Sequence, residues 1–448
     1  MATYAPTSSS FSPTLTPDSD RNTQTESDIA WHPATRIAFR FCLVYFGLYV
    51  LTTQMMPGLT LIIPDLSRIP PMSSLIAWVG HHILGAATIP TTLSGSGDRL
   101  INWSHAVTLL LIASVSTVIW SIVARSRVSH PKAFAYFRLL LRLGVATTFL
   151  SYGFAKIFPL QMPVLALTRL VEPFGNFSPM GVLWYSVGAA PAYEIATGCA
   201  EVLAGILIFL PRTTTLGALV GIGDACMIFL LNMTYDVPVK LFSLHLLLMC
   251  VVILAPNAQR LFELLILHRP TKLRAEPSIV ASAYGTRIAT LAQSAYLIIM
   301  LGVQVKSGSR SWAVIGPNGP RSPLFGIWEV KEMSINETPQ PALATDTSLV
   351  KRAIFQQPTA AVFQMMDDSF RRYGAKVDTI KQTLTLTSQT DTSKHLPLAY
   401  QRIDREHLLI HGMIEGRMTA LTLQYRDPDS FLQRSRGFHF VQDQPFNR

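Results

Sequence analysis

The chain has 448 residues, of which 49% are hydrophobic and only 14% charged, with a mean hydropathy of +0.32. A soluble domain carries charge on about a quarter of its residues, so this composition excludes a purely soluble protein and points to a membrane protein with a soluble part attached. The net charge of +10 does not signal nucleic acid: the basic residues stand at the ends of apolar segments, where they orient helices in a lipid bilayer, the expected partner.

Residues 1–30 are rich in Ser, Thr, Pro and Asp and read as a disordered tail. No apolar core follows a basic start, so this is not a signal peptide, and the first apolar segment, about residues 36–54, serves as an uncleaved anchor. Residues 55–99 are irregular and proline-rich, with one short helix expected at about residues 73–84, too short to span and suited to the interface. His81 and His82 end it; adjacent histidines point in different directions, which suits packing better than a shared metal.

Further spans are expected at about residues 103–123, 136–158, 191–211, 214–231, 239–254 and 288–305. The third carries Arg142, Phe149 and Lys156 on one face at intervals of seven. The fourth carries Glu194 and Glu201, also seven apart, with Gly198 and Gly205 on the same stripe. Small residues there let a neighbouring helix come close, and carboxyl groups there face protein rather than lipid. The fifth span carries Asp224 and the sixth His245. The four cysteines, Cys42, Cys199, Cys226 and Cys250, all lie in apolar segments without C-x-x-C spacing, so they read as packing residues, with no disulfide framework and no metal site.

The loops after the second and sixth spans are basic (Arg125, Arg127 and Lys132; Arg260, His268, Arg269, Lys272 and Arg274), as is the start of the first span (Arg36, Arg40). The positive-inside rule therefore puts the N-terminus in the cytoplasm and, after seven spans, the C-terminal part outside it, with the plasma (inner) membrane as the expected location. The membrane domain is expected at 31–305, a Gly/Ser/Pro linker at 306–323 and a β-domain at 324–448. In the last, alternating runs such as Thr383-Leu384-Thr385-Leu386-Thr387 predict an antiparallel meander closing into a barrel or sandwich, with Gly412 and Gly416 at hairpin turns. Residues 365–373 read as a solvated turn with a local charge network, and Arg436, His439, Asp443 and Arg448 as a cap over the barrel end.

Arg142, then Tyr152-Gly153-Phe154-Ala155-Lys156, then Glu201-Val-Leu-Ala-Gly205 through Pro211-Arg212-Thr-Thr-Thr, resemble the DoxX-like membrane family, with its G-x-x-K near one helix end and E-x-x-x-G on the next. The resemblance covers about residues 136–254 and implies a four-helix bundle in a redox-associated setting, with thiosulfate–quinone chemistry, quinone as the associated cofactor and redox proteins as partners. The three extra spans and the C-terminal domain depart from that family. Gly326-Ile327-Trp328 resembles the G-x-W opening of lipocalin-like barrels, which implies a Trp plugging the closed end.

The chemistry expected of the membrane part rests on Lys156, Glu194, Glu201, Asp224 and His245 lining a path from the outer surface to mid-membrane, rimmed by Tyr152, Asn232, Tyr235, Asp236 and Lys240. Lys156 is expected to pair with Glu194. Glu201 and Asp224, if close, would not both ionise cheaply, so one would keep a proton to exchange with a substrate alongside His245. This suits a quinone- or sulfur-linked redox subunit. A non-catalytic scaffold displaying the β-domain, and a proton-coupled transporter, are the alternatives. No P-loop, G-x-G-x-x-G, H-E-x-x-H or G-x-S-x-G is present.

Overall fold

The computed structural model describes residues 30–53, 55–56, 64–90, 94–271, 279, 282–389, 391–414 and 416–447. The expected disordered tail lies outside these, save for Ala30, as do Pro57, Lys272, Arg274 and Arg448. Among the described residues, seven helical segments are long and apolar enough to cross a membrane. They are α1 (Pro33–Thr52), α3 (Leu100–Val123), α4 (Pro131–Ile157), α7 (Pro191–Phe209), α8 (Thr214–Thr234), a run of α9 (Lys240–Leu254), one 3₁₀ turn and α10 (Ala258–Leu265), and α11 (Ala283–Ile315). Shorter helices α2 (Met72–His82), α5 (Leu167–Val171) and α6 (Pro179–Gly188) lie between them, α2 where the interfacial helix was expected.

Prolines open α1, α4, α6 and α7, where a missing N–H costs nothing. The other helix ends leave carbonyls unsatisfied, which is costly in a bilayer. Arginines serve several of them. Arg40 donates to Ala124 O at 3.3 Å, at the end of α3. Arg142 donates through Nε to Ile208 O at 3.1 Å, at the end of α7. Arg36 reaches Arg127 O at 3.2 Å. A cation at a helix C-terminus also opposes the helix dipole. The basic residues thus close one end of the bundle, at the start of α1 and α4 and the finish of α3 and α7.

The seventh span differs from the expectation. It runs to Ile315, through Lys306-Ser-Gly-Ser309, so the linker begins at Gly316 rather than at residue 306. Two contacts hold this stretch helical: Gln304 Nε2 donates to Ser151 Oγ at 2.7 Å, and Gly308 lies so close to Phe158 that an added Cβ would meet its ring. Glycine here serves close approach rather than looseness.

The C-terminal domain is an antiparallel sheet of nine strands among the described residues: β1 (Gly326–Ile335), β2 (Thr338–Pro339), β3 (Val350–Phe355), β4 (Ala360–Met365), β5 (Phe370–Asp378), β6 (Thr383–Ser388), β7 (His395–Arg402), β8 (His407–Ile414) and β9 (Arg417–Arg426). β1 pairs with β9 and closes an eight-stranded barrel, with the two-residue β2 as a flap on β1. In a barrel of this size side chains can fill the interior, and alternate positions of its eight strands supply them: Trp328, Phe355, Phe363, Leu386, Leu408 and Leu423 are among those inside.

Three expectations are corrected here. Residues 370–373 are strand β5, not turn; only 366–369 turn, with Asp367 accepting from Ser369 N at 3.0 Å. Arg372 points outward, but Arg371 stands opposite the buried Phe363, on the inward face near the start of the strand, and this breaks the alternation. Gly412 lies inside β8 at φ +149°, where a Cβ would come 2.9 Å from Leu398 Cδ2; Gly416, at φ +78°, is the turn residue. The C-terminal tail does not seal the barrel. Asp443 is exposed, Arg436 packs on Phe446 and His439, and Phe438 and Phe440 stand in the open.

The barrel sits at the end of the bundle opposite the basic residues, docked on α5. Leu167 N donates to Gln356 Oε1 at 2.9 Å, and the buried Gln364 donates through Nε2 to Val171 O at 3.1 Å. Nearby, Glu329 accepts from Arg426 at 2.9 Å and from Arg352 at 3.4 Å. Burial pushes its carboxyl up, but Arg426, Arg352 and Lys331 together outweigh this and hold it below the usual carboxylate range. A depressed folded value means that this contribution is present above about pH 4.3, the ordinary glutamate value, and is lost as pH falls further. Glu329→Gln is therefore expected to lower barrel stability at pH 7 by at most about 1 kcal/mol, the scale of partly exposed pairs. The difference from the parent should vanish near pH 3 in thermal unfolding of the full chain.

Candidate functional site

The centre of the membrane part is the contact between α4 and α7. Gly153 and Gly198 face each other so closely that a Cβ on Gly198 would lie 2.7 Å from Gly153 O and 2.8 Å from Lys156 Cβ. Further along, a Cβ on Gly205 would lie 3.0 Å from Ala146 O. This is the close crossing that small residues permit in a bilayer. Gly198→Ala is expected to cost roughly 1–3 kcal/mol, as overpacking does, read as a lowered midpoint of thermal unfolding in detergent.

The crossing brings Lys156 against Glu201, and the two form a buried ion pair, 9% and 1% exposed at their side chains. The expected partner, Glu194, instead accepts from Met162 N at 2.9 Å through Oε1. The reason is that Gly198 lies between the two glutamates and takes the lysine stem, so the ammonium extends toward Glu201. Glu194 still feels the Lys156 charge, and so does Asp224 on α8; Glu201 and Asp224 lie within electrostatic range of each other. One oxygen of each carboxyl group (Glu194 Oε2, Glu201 Oε2, Asp224 Oδ2) is buried without a hydrogen-bond partner among the described residues. The structure thus brings together four of the five expected central residues around one ammonium.

His245 is not among them. Its Nε2 meets Tyr45 Oη at 2.7 Å, its Nδ1 donates to Leu241 O at 2.7 Å, and its ring stacks on Tyr49 with centroids 4.0 Å apart. It therefore faces α1, whose tyrosines capture it before it can reach the carboxyl groups. The expected rim is likewise dispersed. Asn232 donates to Ser243 Oγ at 3.0 Å and ties α8 to α9. Tyr235 packs beside Met162 and Leu183. Asp236 is exposed and pairs with Lys240 at 2.8 Å. Tyr152 lines a cavity.

That cavity holds about 1030 Å³ at the barrel end of the bundle, between α1, α2, α3, α4 and α9. Asp65, Arg68, Arg99 and His105 contribute to its wall. Beside it, Asp98 accepts from Lys240 N at 2.8 Å and Leu241 N at 2.9 Å, so it caps α9 from a distant loop. Sequence reasoning missed all of these. The signal for His105 was present: a histidine just inside an apolar span has to be satisfied by something. Asp98 carried no signal, because a cap supplied from another segment has no spacing rule.

Fold and site define a polytopic helical membrane protein with a buried charge cluster and an appended β-barrel. A stretch of 122 residues, 25% of this chain, is 30% identical to 71% of the uncharacterized protein YwoB of Bacillus subtilis (strain 168), and the chain belongs to the same family. No family model matches the chain, and no solved structure matches it.

Proposed function

We propose that the chain is a DoxX-like, quinone- or sulfur-linked redox subunit of the plasma (inner) membrane, in which the buried carboxyl groups exchange protons. The observation that supports this is the ratio around Lys156: one ammonium, three carboxyl groups, and three buried carboxyl oxygens without partners among the described residues. Charge balance in a low-dielectric interior is met only when such a cluster also holds protons. Two-electron reduction of a quinone consumes two protons. The electrons come from a reduced sulfur compound or a partner redox protein, and the cluster supplies the protons within the membrane. The basic end of the bundle faces the cytoplasm by the positive-inside rule, and the lipocalin-like barrel lies outside.

The test is quinone reduction by the full chain in nanodiscs, with decylubiquinone as acceptor and thiosulfate, sulfite or sulfide as donor. Glu201→Gln or Asp224→Asn is expected to lower turnover about 100-fold, the scale of a lost general acid. Thermal stability should stay close to the parent, because Lys156 keeps two carboxyl neighbours. Unchanged turnover with lowered stability would favour the second reading, a membrane scaffold that displays the barrel. The docking of Gln356 and Gln364 on α5 is the observation on that side.

A further inference from the structure

At the basic end of the bundle, His130 lies in the turn between α3 and α4, outside both spans, and is 8% exposed. Aromatic rings box it in. Phe39 of α1 stacks on the imidazole with centroids 6.0 Å apart, Trp120 of α3 meets it edge-on at 5.3 Å, and Trp31 does so at 6.3 Å. Its Nε2 lies 3.2 Å from Arg40 Nη2. A guanidinium has donors and no acceptor, so Nε2 accepts this bond. The ring proton then sits on Nδ1, and the imidazole is neutral while the contact lasts.

Arg40 is 3% exposed. Its Nη1 donates to Ser121 Oγ at 2.9 Å, in the last turn of α3, and Nη2 reaches Ala124 O as well as His130. One guanidinium thus ties α1 to the end of α3 and to the residue before α4. The charged groups facing the imidazole are all cations: Arg36 and Arg40 from α1, and Arg127 from the turn after α3. From α4, Phe134 and Phe137 join the ring cluster through Phe39. No Asp or Glu occurs at residues 30–46 or 115–140, the stretches that meet here.

We propose that Arg40 and His130 form a pH-sensitive clasp joining α1, α3 and α4, closed on a neutral imidazole and opened when His130 takes up a proton. Burial first, then Arg40, Arg127 and Arg36, hold this imidazole below the usual histidine range. The surrounding rings attract a cation, but two cations in hydrogen-bond contact repel more strongly. A base with a depressed folded value fixes the sign. The clasp is complete above about pH 6.5, the ordinary histidine value, and weakens as pH falls below it, because the opened form binds a proton that the closed form refuses. On opening, Ala124 O and Ser121 lose their donor, so the start of α1 and the end of α3 loosen together.

The experiment is amide hydrogen exchange of the full chain in nanodiscs between pH 7.5 and 5.5, with rates corrected for the intrinsic effect of pH. Each pH unit below about 6.5 should raise exchange at the start of α1 and the end of α3 by up to tenfold, one proton per opening, while β9 keeps its protection. Exchange at the imidazole carbon gives the titration of His130 itself, with a midpoint expected below about 6.5. In His130→Gln the amide oxygen can accept from Arg40 and does not titrate, so exchange should stay slow across the range. A flat profile in the parent, a His130 midpoint at or above the ordinary value, or a His130→Gln chain that opens with acid as the parent does would overturn the proposal. Exchange is read without turnover, so this result and that of the redox reading are independent.

Discussion

Lys156→Met is expected to destabilise the helical bundle by about 3–5 kcal/mol, the cost of stripping a buried carboxylate of its counter-charge. Methionine keeps most of the lysine stem, so the packing against Gly198 survives and the loss is electrostatic. Three carboxyl groups then remain in the bundle with no ammonium among them. The magnitude separates two accounts of the contact. If Lys156 and Glu201 were joined only by an ordinary interhelical hydrogen bond, the loss would be nearer the ~0.6 kcal/mol typical of such bonds in membranes. The companion variant Lys156→Met/Glu201→Leu should recover most of the stability, because replacing both partners leaves no unpaired charge at that position. Unfolding of single and double variants in the same detergent provides the check. A double variant no more stable than the single one would show that Glu201 matters through something other than this pair.

Trp328→Ala is expected to cost the barrel about 3–5 kcal/mol, the range for emptying a large aromatic site in a packed core. Trp328 is fully buried, donates through Nε1 to Leu324 O at 2.9 Å, meets the Tyr425 ring at 5.4 Å and lies under the Arg402 guanidinium at 5.7 Å. It sits on β1, the strand that closes the barrel onto β9, so the cavity opens at the seam. Trp328→Phe should cost less, since it keeps the apolar volume and loses the hydrogen bond and part of the stacking. Hydrogen exchange of the full chain would place the loss: strands β1, β3 and β9 should lose protection while α4 and α7 keep theirs. Uniform loss of protection through both parts would mean that barrel and bundle unfold as one unit.

The seven apolar segments, the short helix between the first two of them and the switch to period-two alternation after the linker were all legible, because each is a statement about which side of a local element is apolar. Two kinds of residue misled that reading. Adjacent arginines on β5, one on each face, disguised a strand as a turn, since alternation is visible only when the inward positions are apolar. Gly308 and Gly412 looked like breaks, whereas each stands where a neighbouring group presses on the backbone. The carboxyl cluster was half legible. Buried acids on glycine-lined helix faces marked Glu194, Glu201 and Asp224, but not which of them Lys156 would choose.

Sequence alone determined that the chain belongs in a bilayer, that its helices carry ionisable groups at membrane depth, and that an antiparallel β-domain follows. These are properties of composition and period, fixed by the few residues on either side of each position. Tertiary structure alone decided that Lys156 pairs with Glu201, that His245 turns to the tyrosines of α1, that Asp98 caps α9, and that β1 seals against β9. Each of those is a contact between distant segments, set by the angle and depth at which packed helices and strands meet, and no local pattern encodes that angle.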